Sequence, residues 1–124
     1  MTKKYSALVM EIDEVVEEAV VLLVNGVIVQ CFINFCPFKI GIGKTYEVDF
    51  ELVLPDNISM EVSQDEYVGV EMGDDSFSCV LAGYLDGVVL RSFIGFDVQD
   101  IHYGYPFFNQ KFIKLNVVRI DVAF

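Results

Sequence analysis

The sequence predicts a small all-β domain, built either as an antiparallel barrel or as a sandwich of about seven or eight strands, with little helix. Three observations predict this class. Apolar and polar residues alternate over most of the chain, as half-buried strands require. Two turn signals, Asn25-Gly26 and Asp86-Gly87, are flanked by apolar runs. The 124 residues contain no linker or low-complexity stretch, so residues 1–124 are predicted to form one domain.

The first half of the chain is predicted to contain four strands. Residues 5–13 form the first, and residues 17–24 and 27–34 flank Asn25-Gly26, whose positive φ values suit a type I′ hairpin. A helix over residues 11–24 is the alternative, but the valines there and the following turn favour strand. Residues 46–54 alternate strictly between apolar and mainly acidic side chains, which predicts a strand with one wet face.

Shorter strands are predicted over residues 59–62 and 67–71. A second hairpin joins residues 76–85 to 88–96 through Asp86-Gly87, with Leu85 opposite Val88. The last strand covers residues 111–124, and its apolar phase shifts at Val117-Val118, which indicates a β-bulge.

The order of the first elements resembles the start of an OB-fold. One long strand, a tight hairpin and a further strand that opens at Gly41-Ile42-Gly43-Lys44 carry the resemblance, which covers residues 5–54. It implies a small, OB-like barrel.

Composition excludes several classes of protein. The chain is 54% hydrophobic, too apolar for a disordered protein, and its longest apolar run is far short of a membrane span. No signal peptide is recognised, and the three cysteines are an odd number, so we predict reduced thiols and a cytoplasmic location.

Charge is the sharpest feature of the sequence. The formal net charge is −11, and residues 45–90 hold eleven acidic residues and no Lys or Arg; the remaining acids and bases balance. Such a block predicts a surface that docks a basic protein partner, for example an immunity-type inhibitor on a nuclease. Solvation of an acidic face is the simpler alternative. The predicted partner-binding residues are Glu47, Asp49, Glu51, Asp65, Glu66, Asp74 and Asp75.

Two other functions are considered. The first hairpin is apolar on both faces, so its second face could form a homo-oligomer surface through Val21, Leu23, Ile28 and Phe32. An OB-like barrel could also bind single-stranded nucleic acid. That needs cations among aromatics, and here Lys111, Lys114 and Arg119 lie near Phe107, Phe108 and Phe112. The net charge argues against nucleic acid.

No motif predicts catalysis, a cofactor or a metal, and we predict that the protein is not an enzyme. Gly41 to Thr45 ends like a phosphate-binding loop, but the earlier glycine is missing and a strand follows. His102 is the single histidine, expected to pack among loop aromatics. Cys31, Cys36 and Cys79 lack metal-ligand spacing and are interpreted as small buried hydrophobic residues.

Overall fold

The computed structural model describes residues 4–74 and 77–124. The predicted all-β class is confirmed, because the regular structure of these residues is almost entirely strand. The strands are β1 (Tyr5–Ile12), β2 (Ala19–Val24), β3 (Val27–Phe35), β4 (Thr45–Val53), β5 (Met60–Val62), β6 (Gly69–Met72), β7 (Cys79–Asp86), β8 (Val89–Arg91), β9 (Gly95–Asp97), β10 (Phe112–Val117) and β11 (Arg119–Ala123). Helix α1 (Gln99–Gly104) and a 3-10 helix (Pro106–Phe108) lie between β9 and β10.

The first sheet closes on itself. Its strand order is β1-β2-β3-β11-β4, and β4 pairs back with β1. All of these pairs are antiparallel except β3 with β11, which is parallel, so the antiparallel prediction is wrong for that one pair. The inner faces of the five strands form much of the core, and outward-facing side chains alternate with them.

The second sheet is open and has the order β5-β10-β7-β8-β9, with β6 pairing the first half of β7. Its strands β6 and β9 pack against β3 and β4 of the closed sheet. Buried side chains of both sheets, such as Leu22 and Leu81, belong to one hydrophobic core. No helix of the described chain is long and apolar enough to cross a membrane.

The first hairpin forms with the predicted register. Val24 pairs with Val27 and Leu22 with Val29 across the turn. Asn25 and Gly26 have φ values of 48° and 79°, as a type I′ turn requires.

The predicted register of the second hairpin is wrong by one turn position. Leu85 pairs with Leu90, not with Val88, and Asp86 pairs with Val89. Gly87 has φ 63° and takes the first central turn position, as a type II′ turn prefers, which moves Val88 into the second. The predicted return strand also breaks into β8 and β9, which pair with each other.

The predicted final strand is divided between the two sheets. β10 pairs with β5 and β7, whereas β11 pairs with β3 and β4. Val118 separates them, is exposed, and donates its backbone N–H to the carbonyl of Val53. The phase shift in the sequence therefore marks a change of sheet and not a bulge.

Residues 13–18 form a loop, so β2 begins two residues later than predicted. The Asp13 carboxylate accepts hydrogen bonds from the backbone N–H groups of Val15 and Val16, both at 2.8 Å. These bonds hold the pKa of Asp13 below its usual value. Val15 and Val16 are exposed in this capped turn, so this apolar pair lies outside the core.

Candidate functional site

The acidic side chains of β4 lie on the outer face of the closed sheet. Their alternating neighbours, such as Val48 and Phe50, belong to the core or pack against it. Glu47 lies opposite Ser6 on β1, whereas Asp49 and Glu51 lie opposite Ala123 and Asp121 on β11. The three predicted residues thus share one face of β4. Asp49 and Glu51 lie beside β11, whereas Glu47 lies beside β1.

A cleft forms where β9 and the start of α1 meet β4. A cavity of about 400 Å³ is lined by Asp49, Glu51, Asp97 and Asp121. A second cavity of about 250 Å³ is lined by Glu51, Asp97 and Asp100. The two cavities share the lining residues Glu51 and Asp97, so they adjoin each other. We call them together the acidic cleft; its acidic lining residues are Asp49, Glu51, Asp97, Asp100 and Asp121.

The sequence predicts Asp49 and Glu51 as binding residues but not the other three acidic residues of the cleft. Asp97, Asp100 and Asp121 lie outside the base-free block of residues 45–90, so counting charge along the chain could not include them. Knowing the register of β11 against β4 would have identified Asp121, because that register places it beside Glu51.

Asp121 is the buried member of the acidic cleft, with a side chain that is 9% exposed. Its Oδ1 accepts a 2.7 Å hydrogen bond from Nε of Arg119. The same guanidinium lies 4.2 Å from the centre of the Phe32 ring, a cation–π contact. Arg119 therefore neutralises the acid that would otherwise face Glu51 across the strand pair.

Asp49 is paired on one oxygen. Its Oδ2 accepts a hydrogen bond from Nζ of Lys4 at 3.2 Å, whereas Oδ1 is buried and has no hydrogen-bond partner among the described residues. Within residues 4–74 and 77–124, no group of three or more His, Cys, Asp or Glu side chains is arranged to hold a metal ion. The carboxylates line a space without converging on one point in it.

The other predicted acids lie elsewhere. Asp65 and Glu66 are exposed in the loop before β6, and Asp74 follows β6 in the second sheet. None of these three lines the acidic cleft. Asp75 lies outside the described residues.

The proposed oligomer surface is partly covered by the chain itself. The Phe32 ring packs edge-on against Phe77, with ring centres 5.6 Å apart. Val21 and Leu23 are half-buried, and Ile28 is 58% exposed.

His102 is expected in a loop but lies on α1, and the aromatic residues that follow it reach into the 3-10 helix. His102 packs edge-on against Tyr103, and its Nδ1 is buried without a hydrogen-bond partner in the described part of the chain. Tyr103 and Phe107 are exposed. Lys111 donates a hydrogen bond to the Phe107 carbonyl and lies 3.5 Å from the centre of that ring. Arg119 is on the other sheet, bound to Asp121, so the predicted basic cluster is divided.

Cys31 and Cys79 are buried, as predicted, and burial raises the pKa of the Cys31 thiol. Cys36 differs from the prediction: it is half-buried, and its Sγ donates a 2.9 Å hydrogen bond to the Phe38 carbonyl.

A larger cavity of about 710 Å³ adjoins the acidic cleft between the two sheets. Tyr5, Phe50 and Val89 line it together with the polar side chains of Arg91 and Asp97. We call this space the aromatic cavity.

A family model described as "Uncharacterised conserved protein UCP019853" matches residues 3–124, and the chain belongs to this family. No curated protein and no solved structure gives a significant match.

Proposed function

We propose that this member of the family binds a basic polypeptide through the acidic cleft. The observation that carries the proposal is that five acidic residues from β4, β9, α1 and β11 line two adjoining cavities. Lys4 and Arg119 each bind one of these acids, Asp49 and Asp121. An excess of negative charge therefore faces the cleft.

The size and spacing of the cleft favour an organic cation. An arginine or lysine side chain of a partner can approach several carboxylates in a cavity of about 400 Å³, with guanidinium N–H groups donating to carboxylate oxygens. A bare metal ion would need ligands drawn close around one point, which the described side chains do not supply.

The partner we propose is a protein with a basic surface, and an immunity-type inhibitor that covers the phosphate-binding groove of a nuclease is one example. A cytoplasmic location belongs to the same proposal. We infer that the protein acts by binding and not by catalysis.

An OB-like interpretation of the closed sheet does not favour nucleic acid as the ligand. OB-folds bind along their second and third strands and the loop between the first two. Here that loop carries Glu14, Glu17 and Glu18, which would repel phosphates. The two lysines of the predicted basic cluster, Lys111 and Lys114, lie at or next to β10 in the other sheet.

The test measures binding of fluorescent arginine-rich and glutamate-rich peptides by anisotropy at rising salt. The arginine-rich peptide should bind, and its affinity should fall with salt because exposed charges are screened. The double variant Glu51→Gln, Asp97→Asn should weaken binding about tenfold, if each exposed charge contributes somewhat under 1 kcal/mol.

The matched control is Asp65→Asn, Glu66→Gln, which changes net charge by the same amount outside the cleft. It should change affinity by less than about twofold. Equal losses in both double variants would show that overall charge, and not the cleft, attracts the peptide. Binding that does not respond to salt would also contradict the proposal.

Homo-oligomer formation is the second candidate, favoured by the exposure of Ile28 beside Leu23 on the outer face of the first hairpin. Sedimentation equilibrium at high protein concentration tests it. A dimer of the parent protein that dissociates in the Ile28→Asp variant would support this surface. A monomeric parent protein would exclude it.

A further inference from the structure

The acidic cleft adjoins the aromatic cavity. The cavity of about 710 Å³ and the cleft share two lining residues, Phe50 and Asp97. A ligand that reaches one space therefore lies next to the other.

The lining of the aromatic cavity is partly apolar; Asn25, Arg91, Ser92 and Asp97 make the rest of it polar. The Tyr5 hydroxyl donates a hydrogen bond to the Gly95 carbonyl at 3.2 Å and accepts one from the Gly95 N–H at 3.3 Å, which ties β1 to β9. The Phe50 ring lies 6.3 Å from the Tyr5 ring, centre to centre. Val89 adds aliphatic surface. These apolar residues offer a contact surface to a large apolar side chain, beside polar groups of the same lining.

We propose that the aromatic cavity receives a bulky apolar side chain from the same partner segment that places a cation in the acidic cleft. The inference rests on the proposed function and narrows the partner to an extended basic segment with an aromatic residue two positions from an arginine or lysine.

The spacing follows from the geometry of an extended chain. Side chains two residues apart in an extended chain point to the same face and are about 6.6 Å apart, so one segment can offer a side chain to each of two adjoining spaces. The negative charge of the acidic cleft favours a basic residue at the position of the segment that faces it. A second copy of this chain, with its net charge of −11, would bring like charges together.

The test compares two labelled peptides that differ only in their apolar residues: Arg-Gly-Phe-Gly-Arg-Gly-Phe-Gly-Arg and the same peptide with alanine for phenylalanine. Each phenylalanine lies two residues from an arginine on both sides, so either chain direction is covered. We expect the phenylalanine peptide to bind about tenfold more tightly, as partial burial of one ring supplies.

Val89→Phe fills the cavity and should reduce the ratio of the two affinities to near one. Val62→Phe makes the same substitution on β5, at the far edge of the second sheet, and should keep the tenfold ratio. Phe50→Leu removes the ring while keeping an apolar side chain, and it should lower the ratio as well. This second variant tests the inference if circular dichroism shows that Val89→Phe does not fold.

The outcomes separate the two proposals. Equal affinities for both peptides, each weakened by Glu51→Gln, Asp97→Asn, would overturn this inference and leave the proposed function standing. A tenfold preference that survives Val89→Phe and Phe50→Leu would also overturn it, because the ring would then bind elsewhere. Failure of both peptides to bind would remove the proposed function and this inference with it. A preference for phenylalanine that Glu51→Gln, Asp97→Asn leaves at full affinity would remove the proposed function, and this inference would fall with it because it places a cation in the acidic cleft.

Discussion

Replacing Arg119 with alanine should lower the free energy of unfolding by about 2–4 kcal/mol. The side chain makes a 2.7 Å charge-assisted hydrogen bond to Asp121, which is 9% exposed, and such a bond contributes about 1.5–3 kcal/mol. The cation–π contact with Phe32 adds about 0.5–1 kcal/mol. The variant also leaves Asp121 buried beside Glu51 without its cation, which places the expected loss well above that of an ordinary surface pair.

Arg91→Ala is the matched control. Arg91 binds Asp86 through the same Nε atom at 2.8 Å, but these side chains are 63% and 48% exposed, so the loss should be at most about 1 kcal/mol. Urea unfolding followed by circular dichroism measures both variants. Adding Asp121→Asn to Arg119→Ala should recover part of the loss, because the uncompensated charge is then gone. Equal losses for Arg119→Ala and Arg91→Ala would refute the argument that burial makes the Asp121 pair stronger.

Three further variants or reactions test other parts of the structure. A Cβ at buried Gly83 would lie 2.5 Å from a backbone carbonyl oxygen of β8, so Gly83→Ala should destabilise the protein by at least about 2 kcal/mol. Gly104 has open space around it, so the control Gly104→Ala should stay within about 1 kcal/mol of the parent; thermal unfolding measures both variants. Backbone hydrogen bonds lower the pKa of Asp13 from 3.8, so its stabilisation is present above that pH and is lost as pH falls through the lower folded value. The stability difference between the parent and Asp13→Ala should therefore shrink as pH falls below about 4 in urea titrations. Burial raises the pKa of Cys31, so iodoacetamide should modify half-buried Cys36 first in the native protein, as peptide mass spectrometry would show; equal rates would contradict the buried position.

Local signals predicted the parts of the fold that depend on a few adjacent residues. Asn25-Gly26 determined both the turn type and every pair of the first hairpin, because two positive φ values leave one register. The short strands before β7 were also predicted to within two residues. Asp86-Gly87 gave the wrong register because this dipeptide is compatible with two turns. Asp and Gly can occupy both central positions of a type I′ turn, or Gly alone can occupy the first central position of a type II′ turn.

Features that depend on distant strands were not predictable from local pattern. The phase change at Val118 was visible, but a bulge and a change of sheet leave the same mark in sequence. Helix α1 buries Ile101 alone, so it has no amphipathic repeat to recognise. The acidic cleft joins Glu51 to Asp97 and Asp121 across three strands, and no charge count along the chain could place them together.

The position of β11 governs how the molecule can assemble. It enters the closed sheet between β3 and β4, where Asp121 pairs with Phe32 and Ile120 with Leu52, residues 89 and 68 positions away in sequence. Contacts of such long range slow folding, and until they form, β3 and β4 each offer an unsatisfied edge to another chain. If β11 were exchanged between two molecules, the strand of one would complete the ring of the other through the same pairings. Refolding at high concentration is therefore the condition that most favours strand exchange between molecules.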